Sequence, residues 1–194
     1  MRFGIDPIEI DRGVADVIAD NASPLIEFPA QLLTLAGDEK FILALAGFFW
    51  LCSRKQTTER EANYVVSNVL VADILSHVLK QVFAQVRPDR RVMRSPRHGI
   101  PHSGKPFDAF PSGHAMLAGT LASSLARMFP SYRAWIWGAA GTLAATRVVL
   151  LAHWLSDVVV GLGLGVFLEH LHWNVTRRSG QLHVAHPTHQ ARHR

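Results

Sequence analysis

The chain has 194 residues, a length that suits one domain, and carries 20 Lys and Arg against 15 Asp and Glu. Its one cysteine, Cys52, excludes a disulfide framework and a cysteine-rich metal site. The net charge of +5 suits an anionic membrane surface; the basic residues sit between apolar runs rather than along a stripe with interleaved aromatics, so no nucleic-acid partner is expected.

The N-terminus is acidic (Asp6, Glu9, Asp11, Asp16, Asp20) and lacks a basic n-region, so a cleaved signal peptide is not expected. Within it, Pro24–Gly37 is apolar but interrupted by Glu27 and Pro29, the pattern of an interfacial amphipathic helix. Residues 1–38 are therefore read as an N-terminal interfacial segment. Five dense apolar runs follow: Phe41–Cys52, Val65–Leu79, Ala115–Phe129, Trp135–Leu151 and Val158–Leu171. A mean hydropathy of only +0.13 hides them, because polar ends and one basic loop dilute the average.

Several runs fall short of the roughly 20 residues that cross a bilayer, and a soluble helical bundle is the competing reading. Texture favours the membrane. Ala115, Ala118, Gly119, Ala122, Ser123 and Ala126 line one helical face, and Gly161 and Gly165 form a G-x-x-x-G pair, as close packing in lipid requires. Trp50, Trp135, Trp137, Trp154 and Trp173 lie near segment ends, where interfacial anchors belong. The expected fold is all-α: a polytopic bundle of five transmembrane helices, six as the alternative, after an N-terminal amphipathic helix. Its membrane domain would span 39–173, with 174–194 a basic flexible tail. That tail holds His183, His186, His189 and His193, for which disorder is preferred to metal binding.

Three polar clusters carry chemistry. Lys80, Arg87 and Pro88 read K-x6-R-P, and seven residues is close to two helical turns. A continued helix would place both cations on one face as an oxyanion clamp, although by itself such a pair is better explained by snorkelling. Pro111-Ser112-Gly113-His114 precedes the third apolar run. A capping turn reads the same way, but it would also point amides and a hydroxyl at an anion beside a proton-transferring imidazole. Arg147, His153 and Asp157 read R-x5-H-x3-D; a helical turn would set the carboxylate behind the imidazole, as a structural pair or an oriented nucleophile.

Alternating spans put the 81–113 loop and the 152–157 turn on one side of the bilayer. Arg54, Lys55, Arg60, Arg127, Arg133, Arg177 and Arg178 mark the other side as cytoplasmic, so the site is expected on the extracytoplasmic face of an inner or plasma membrane. Asp73 and His77 are expected to pair within the second run, and His98, His102 and Lys105 are candidates for contacting a headgroup.

The three motifs, in this order and over about 80 residues, resemble the type 2 phosphatidic acid phosphatase superfamily, which includes bacterial acid phosphatases and vanadium haloperoxidases. The third motif departs mildly, with Thr146 where the family usually has serine. The resemblance implies that His153 attacks phosphorus to give a phosphohistidine and that Asp157 orients its ring. His114 would protonate the leaving oxygen and later activate water. Lys80, Arg87, Ser112, the Gly113 amide and Arg147 would hold the equatorial oxygens, with no metal and no cofactor. The implied activity is hydrolysis of a lipid phosphate or diphosphate drawn from the surrounding membrane lipid. The alternatives are an acid phosphatase or haloperoxidase-like enzyme on a soluble substrate, and a catalytically silent lipid-binding relative.

Overall fold

The computed structural model describes residues 2–53, 59–92 and 105–178. It is a helical bundle with one very short parallel strand pair. In chain order the elements are β1 (Phe3–Gly4), α1 (Glu9–Asp20), α2 (Pro24–Ala36), α3 (Glu39–Ser53), α4 (Glu59–Val82), β2 (Phe83–Ala84), α5 (Pro88–Arg91), α6 (Gly113–Met128), α7 (Arg133–Val149) and α8 (Leu155–Arg178). A single 3-10 turn, Pro130–Tyr132, joins α6 to α7.

Helix α6 is the axis, packing against α8, α7, α4 and α3. Small residues make this possible. Ala115, Ala118, Gly119, Ala122 and Ser123 are all buried, and Gly161 and Gly165 let α8 lie directly on the α6 backbone. The largest core cluster joins Ile42, Val65, Val69, Ala72, Met116 and Leu117 from three helices. Outward faces are apolar too: Phe48, Ile74, Trp135, Val159 and Phe167 are all exposed. A bundle that is apolar outside as well as inside has lipid as its natural solvent. Among the described residues two helices are long and apolar enough to cross a membrane, Arg60–Val82 and Leu155–Arg178.

The N-terminal segment differs from a single interfacial helix. Two helices form, and β1 adds beside β2, with Phe3 paired to Phe83 and Gly4 to Ala84. Ser23 starts α2 by accepting from the Leu25 amide, with Pro24 at the first helical position, where its missing N–H costs nothing. Trp154 is not an interfacial anchor: it is 1% exposed and donates its indole N–H to Val86 O at 2.7 Å. His77 Nδ1 lies 3.0 Å from the Asp73 carbonyl and 3.8 Å from its carboxylate, so the two do pair.

Candidate active site

The three motifs meet at one end of the bundle, each fixed by backbone hydrogen bonds. Helix α4 ends at Val82, so Lys80 and Arg87 do not share a continuous helix as the seven-residue spacing suggested. Two causes are visible. Residues 83–84 pair with β1, and Pro88 restricts Arg87 to an extended backbone (φ −69, ψ 149). The extended stretch is zipped to the segment before the second motif: Gln85 N to Phe107 O, Arg87 N to Pro106 O and Ala109 N to Gln85 O, all at 3.0–3.2 Å.

Arg87 is 6% exposed and spends most of its donors on backbone. Nε donates to Lys105 O at 2.9 Å, one terminal nitrogen to Ala152 O at 2.8 Å and the other to Asp108 O at 3.2 Å. This orients the fork, and the nitrogen on Ala152 also stands 3.4 Å from His153 Nε2. An arginine can satisfy carbonyls on one edge and face a reacting group with another; a lysine cannot.

Ser112 is the N-cap of α6, its hydroxyl accepting from Ala115 N at 3.4 Å, while its own amide donates to Asp157 O at 3.2 Å. The Phe110–Pro111 peptide before it is cis. Gly113 is the first residue of α6, and Lys80 comes close to it: a Cβ at 113 would stand 3.3 Å from Lys80 Nζ. His114 follows, its ring resting against Gly37 in the turn between α2 and α3.

The third motif owes its spacing to a helix end. After α7, Leu151 N donates to Val148 O and Ala152 N to Arg147 O, a Schellman turn whose left-handed residue is Leu151 (φ 50). A non-glycine residue there costs about 1–2 kcal/mol, offset by burying the Leu151 side chain against Ala15, Ala109 and Trp154. His153 N also donates to Arg147 O, so the arginine's own carbonyl places the histidine six residues on.

His153 is 2% exposed, and its Nδ1 donates to the carbonyl of Ala109. That bond fixes the tautomer and leaves the Nε2 lone pair facing Arg87. Asp157 stands 3.9 Å from Nδ1, outside hydrogen-bond range, because His153 precedes α8 instead of lying in its first turn. The carboxylate instead accepts from the Trp154 amide at 2.9 Å, closing the start of α8, and its other oxygen is buried without a hydrogen-bond partner among the described residues. Burial, then the charges of Arg87, Arg147 and Lys80, hold the His153 pKa well below the usual imidazole range. Both effects favour the neutral form of the ring.

Arg147 donates to Thr34 Oγ1 at 2.6 Å, so α2 supports the site. Sequence reasoning did not find Thr34, Ala109 or Asp11 (below); a carbonyl acceptor leaves no trace in residue type. Among the described residues no three His, Cys, Asp or Glu side chains gather as metal ligands would. His98 and His102, and the tail histidines from His183 onward, lie outside the described residues. Lys105 is exposed, and among the described residues its carbonyl accepts from Arg87 Nε.

A buried imidazole, a cluster of fixed cations and a capped helix start are groups that can bind a phosphate ester and stabilise charge as it is displaced. The family model of the PAP2 superfamily matches residues 61–181, and the chain belongs to that superfamily. It is a phosphoric ester hydrolase of the PAP2 type and a membrane protein. The chain is 34% identical to a lipid A 1-phosphatase of Rhizobium johnstonii over 183 residues, covering 87% of this chain and 75% of the relative. It is 35% identical to an undecaprenyl-diphosphatase of Sulfolobus acidocaldarius over 120 residues, 60% of this chain and 55% of that one. The fold is similar to the crystal structure of Aquifex aeolicus LpxE (TM-score 0.70, 19% identity, 89% and 99% of the two chains covered). It is also similar to a transmembrane PAP2-type phosphatidylglycerolphosphate phosphatase from Bacillus subtilis (TM-score 0.59, 20% identity, 87% and 85% covered).

Proposed function

We propose that this protein hydrolyses a phosphate or diphosphate monoester on a membrane amphiphile through a phosphohistidine on His153, without a metal. The observation that carries the reading is the His153 ring, with Nδ1 tied to Ala109 O and Nε2 facing the Arg87 guanidinium. Nε2 attacks phosphorus as the ester oxygen departs. Arg87, Arg147 and Lys80, with the Ser112 hydroxyl and the Gly113 amide, hold the equatorial oxygens, a role that cations perform by fixed charge. His114, at the start of α6, protonates the leaving oxygen and then takes a proton from the water that attacks the phosphohistidine. Asp157 acts through the backbone in this scheme, holding the Trp154 amide next to His153.

The amphiphile is supported by two observations. The relatives act on lipid A and on undecaprenyl diphosphate by name. An apolar cavity of about 300 Å³, lined by Ala36, Ile42, Ala118, Ala122, Ala140 and Leu143 among others, adjoins Gly37, where His114 rests. In this reading the phosphatase bundle begins at residue 39 and has five spans, with the segment 1–38 before it; α8 runs on to Arg178, so the expected start of a tail at 174 falls inside a helix and is moved past it. Arg127, Arg133, Arg177 and Arg178 occupy the bundle end opposite the site, which supports an extracytoplasmic active face.

The test is phosphate release by purified protein from a panel of phosphatidic acid, phosphatidylglycerol phosphate, undecaprenyl diphosphate and lipid A, with EDTA present and vanadate as inhibitor. At least one lipid should be hydrolysed in EDTA, and His153→Ala should abolish turnover while leaving the protein folded. Strict dependence on added metal, or near-normal rates in His153→Ala, would refute the mechanism.

A further inference from the structure

The family match begins at residue 61, yet the outer side of the site is built by residues 2–20. Arg2 donates to Asp108 Oδ1 at 3.1 Å, Ile5 N to Ala84 O at 3.0 Å, and Arg91 reaches Asp6 at 3.3 Å. Ala15 on α1 packs into one cluster with Ala109, Leu151 and Trp154. Each of those three governs a catalytic position: Ala109 accepts from His153, Leu151 forms the turn before it, and Trp154 joins it to Val86 beside Arg87.

At the centre of this contact is Asp11, a carboxylate only 1% exposed. One oxygen accepts from Ser156 N at 2.8 Å, and the other accepts from Ser156 Oγ at 2.6 Å and from Ile8 N at 3.2 Å. Ile8 and Trp154 are the residues from which α1 and α8 start, so the two helix beginnings converge on a single negative charge. Both dipoles favour that charge, and three donors offset the cost of burying it. A surface amphipathic helix has no need of a buried acid on its inner face. What Asp11 reaches is the second residue of the helix whose start carries His153 and Asp157.

We propose that Asp11 is a positioning residue of the active site: through Ser156 it fixes the start of α8 against α1 and so sets where His153 Nε2 stands relative to Arg87. This rests on the reading of His153 as phosphoryl acceptor. Asp11 does not touch the imidazole or the phosphate. Its removal takes the acceptor from the half-buried Ser156 amide and hydroxyl and frees the 152–157 turn to shift. A misplacement of about 1 Å is enough to cost roughly 100-fold in rate.

The test uses the full chain in detergent with phosphatidic acid in mixed micelles, and compares Asp11→Ala, Asp11→Asn, Ser156→Ala, the Asp11→Ala/Ser156→Ala double variant, Asp16→Ala on the exposed face of α1, and His153→Ala. Asp11→Ala is expected to lose kcat by about 30- to 100-fold with KM changed less than about threefold, per folded molecule. Asp11→Asn, which keeps an acceptor for the Ser156 amide, should recover part of that loss. The double variant should be no worse than Asp11→Ala, since both act through one contact. Asp16→Ala should match the parent. The proposal is overturned by any of four results: kcat within twofold of the parent in Asp11→Ala, a loss confined to KM, a loss that only tracks unfolding, or additive losses in the double variant. Should Asp11→Ala not fold, Asp11→Asn and Ser156→Ala decide by the same criteria. His153→Ala that remains active overturns the phosphohistidine and this proposal with it; His153→Ala inactive beside a fully active Asp11→Ala overturns the brace alone.

Discussion

Gly161→Ala probes whether the close seat of α8 on the second motif sets the site's geometry. A Cβ at residue 161 would stand 2.6 Å from the Ser112 carbonyl oxygen and 3.2 Å from Ala115 Cβ. Ordinary contact begins near 3.4 Å, so Ser112 and α8 must part by about 0.8 Å. Neither side yields cheaply: the near atom is backbone, Ser112 is 0% exposed, and its amide is bonded to Asp157 O. Overpacking of this kind costs about 1–3 kcal/mol, against a helix-propensity gain of about 1 kcal/mol for replacing glycine by alanine. The expected net loss is roughly 0–2 kcal/mol in stability. Activity should fall further, by about 10- to 100-fold, because the displaced turn carries Gly113 and His114. Gly163, where a Cβ meets nothing within 4 Å, is the control and should accept alanine without loss. Phosphate release and thermal unfolding, measured in one detergent, read both effects. A Gly161→Ala protein with parental kcat and melting temperature would refute the reasoning.

Arg87→Lys should lower kcat/KM by at least about 100-fold in the same assay, since one ammonium cannot reach the Lys105, Ala152 and Asp108 carbonyls while facing His153. The pH dependence of kcat/KM should place the protonation of His153 below the ordinary imidazole value of about 6.5. In the folded protein the ring stays neutral as the pH falls through that value, whereas the unfolded chain takes up the proton, so its stability contribution is present above about pH 6.5 and lost below it. His153→Gln should therefore show a shallower loss of stability between about pH 6.5 and 5 than the parent, and equal slopes would count against the assignment. Arg127→Gln should cost about 3 kcal/mol in thermal unfolding, because the Glu169 carboxylate is 0% exposed and takes two of its bonds from that arginine, at 2.7 and 2.9 Å. This pair lies at the far end of the bundle, so phosphate release per folded molecule should hold; a loss of activity without a loss of stability would contradict that separation.

The helical class, the packing stripe and the membership of the three clusters were legible in the chain itself. The stripe on α6 and the glycine pair on α8 could be read because helical periodicity is local and small residues have few other uses at such density. The clusters could be read because their order and spacing resemble the motifs of the PAP2 superfamily, to which the chain belongs. Where extrapolation went further it met a tertiary cause. The helix carrying Lys80 stops before Arg87 because β1 captures the next residues and Pro88 forbids the helical turn before it. Trp154 looked like an interfacial anchor by its place at a segment end, and the structure buries it in the contact between α1 and the third motif.

By itself, then, the sequence determined the chemical inventory: two histidines, a carboxylate and three cations in an order suited to phosphoryl displacement, on helices suited to lipid. Only the tertiary structure decided how that inventory is aimed. The acceptor that sets the His153 tautomer is the Ala109 carbonyl, and Asp157 is turned to the Trp154 amide. Thr34 and Asp11 arrive from helices far away in the chain. The reason is physical: periodicity and spacing report on groups a few residues apart, whereas backbone acceptors are identical at every residue. Which one a ring nitrogen meets is settled when the helices pack.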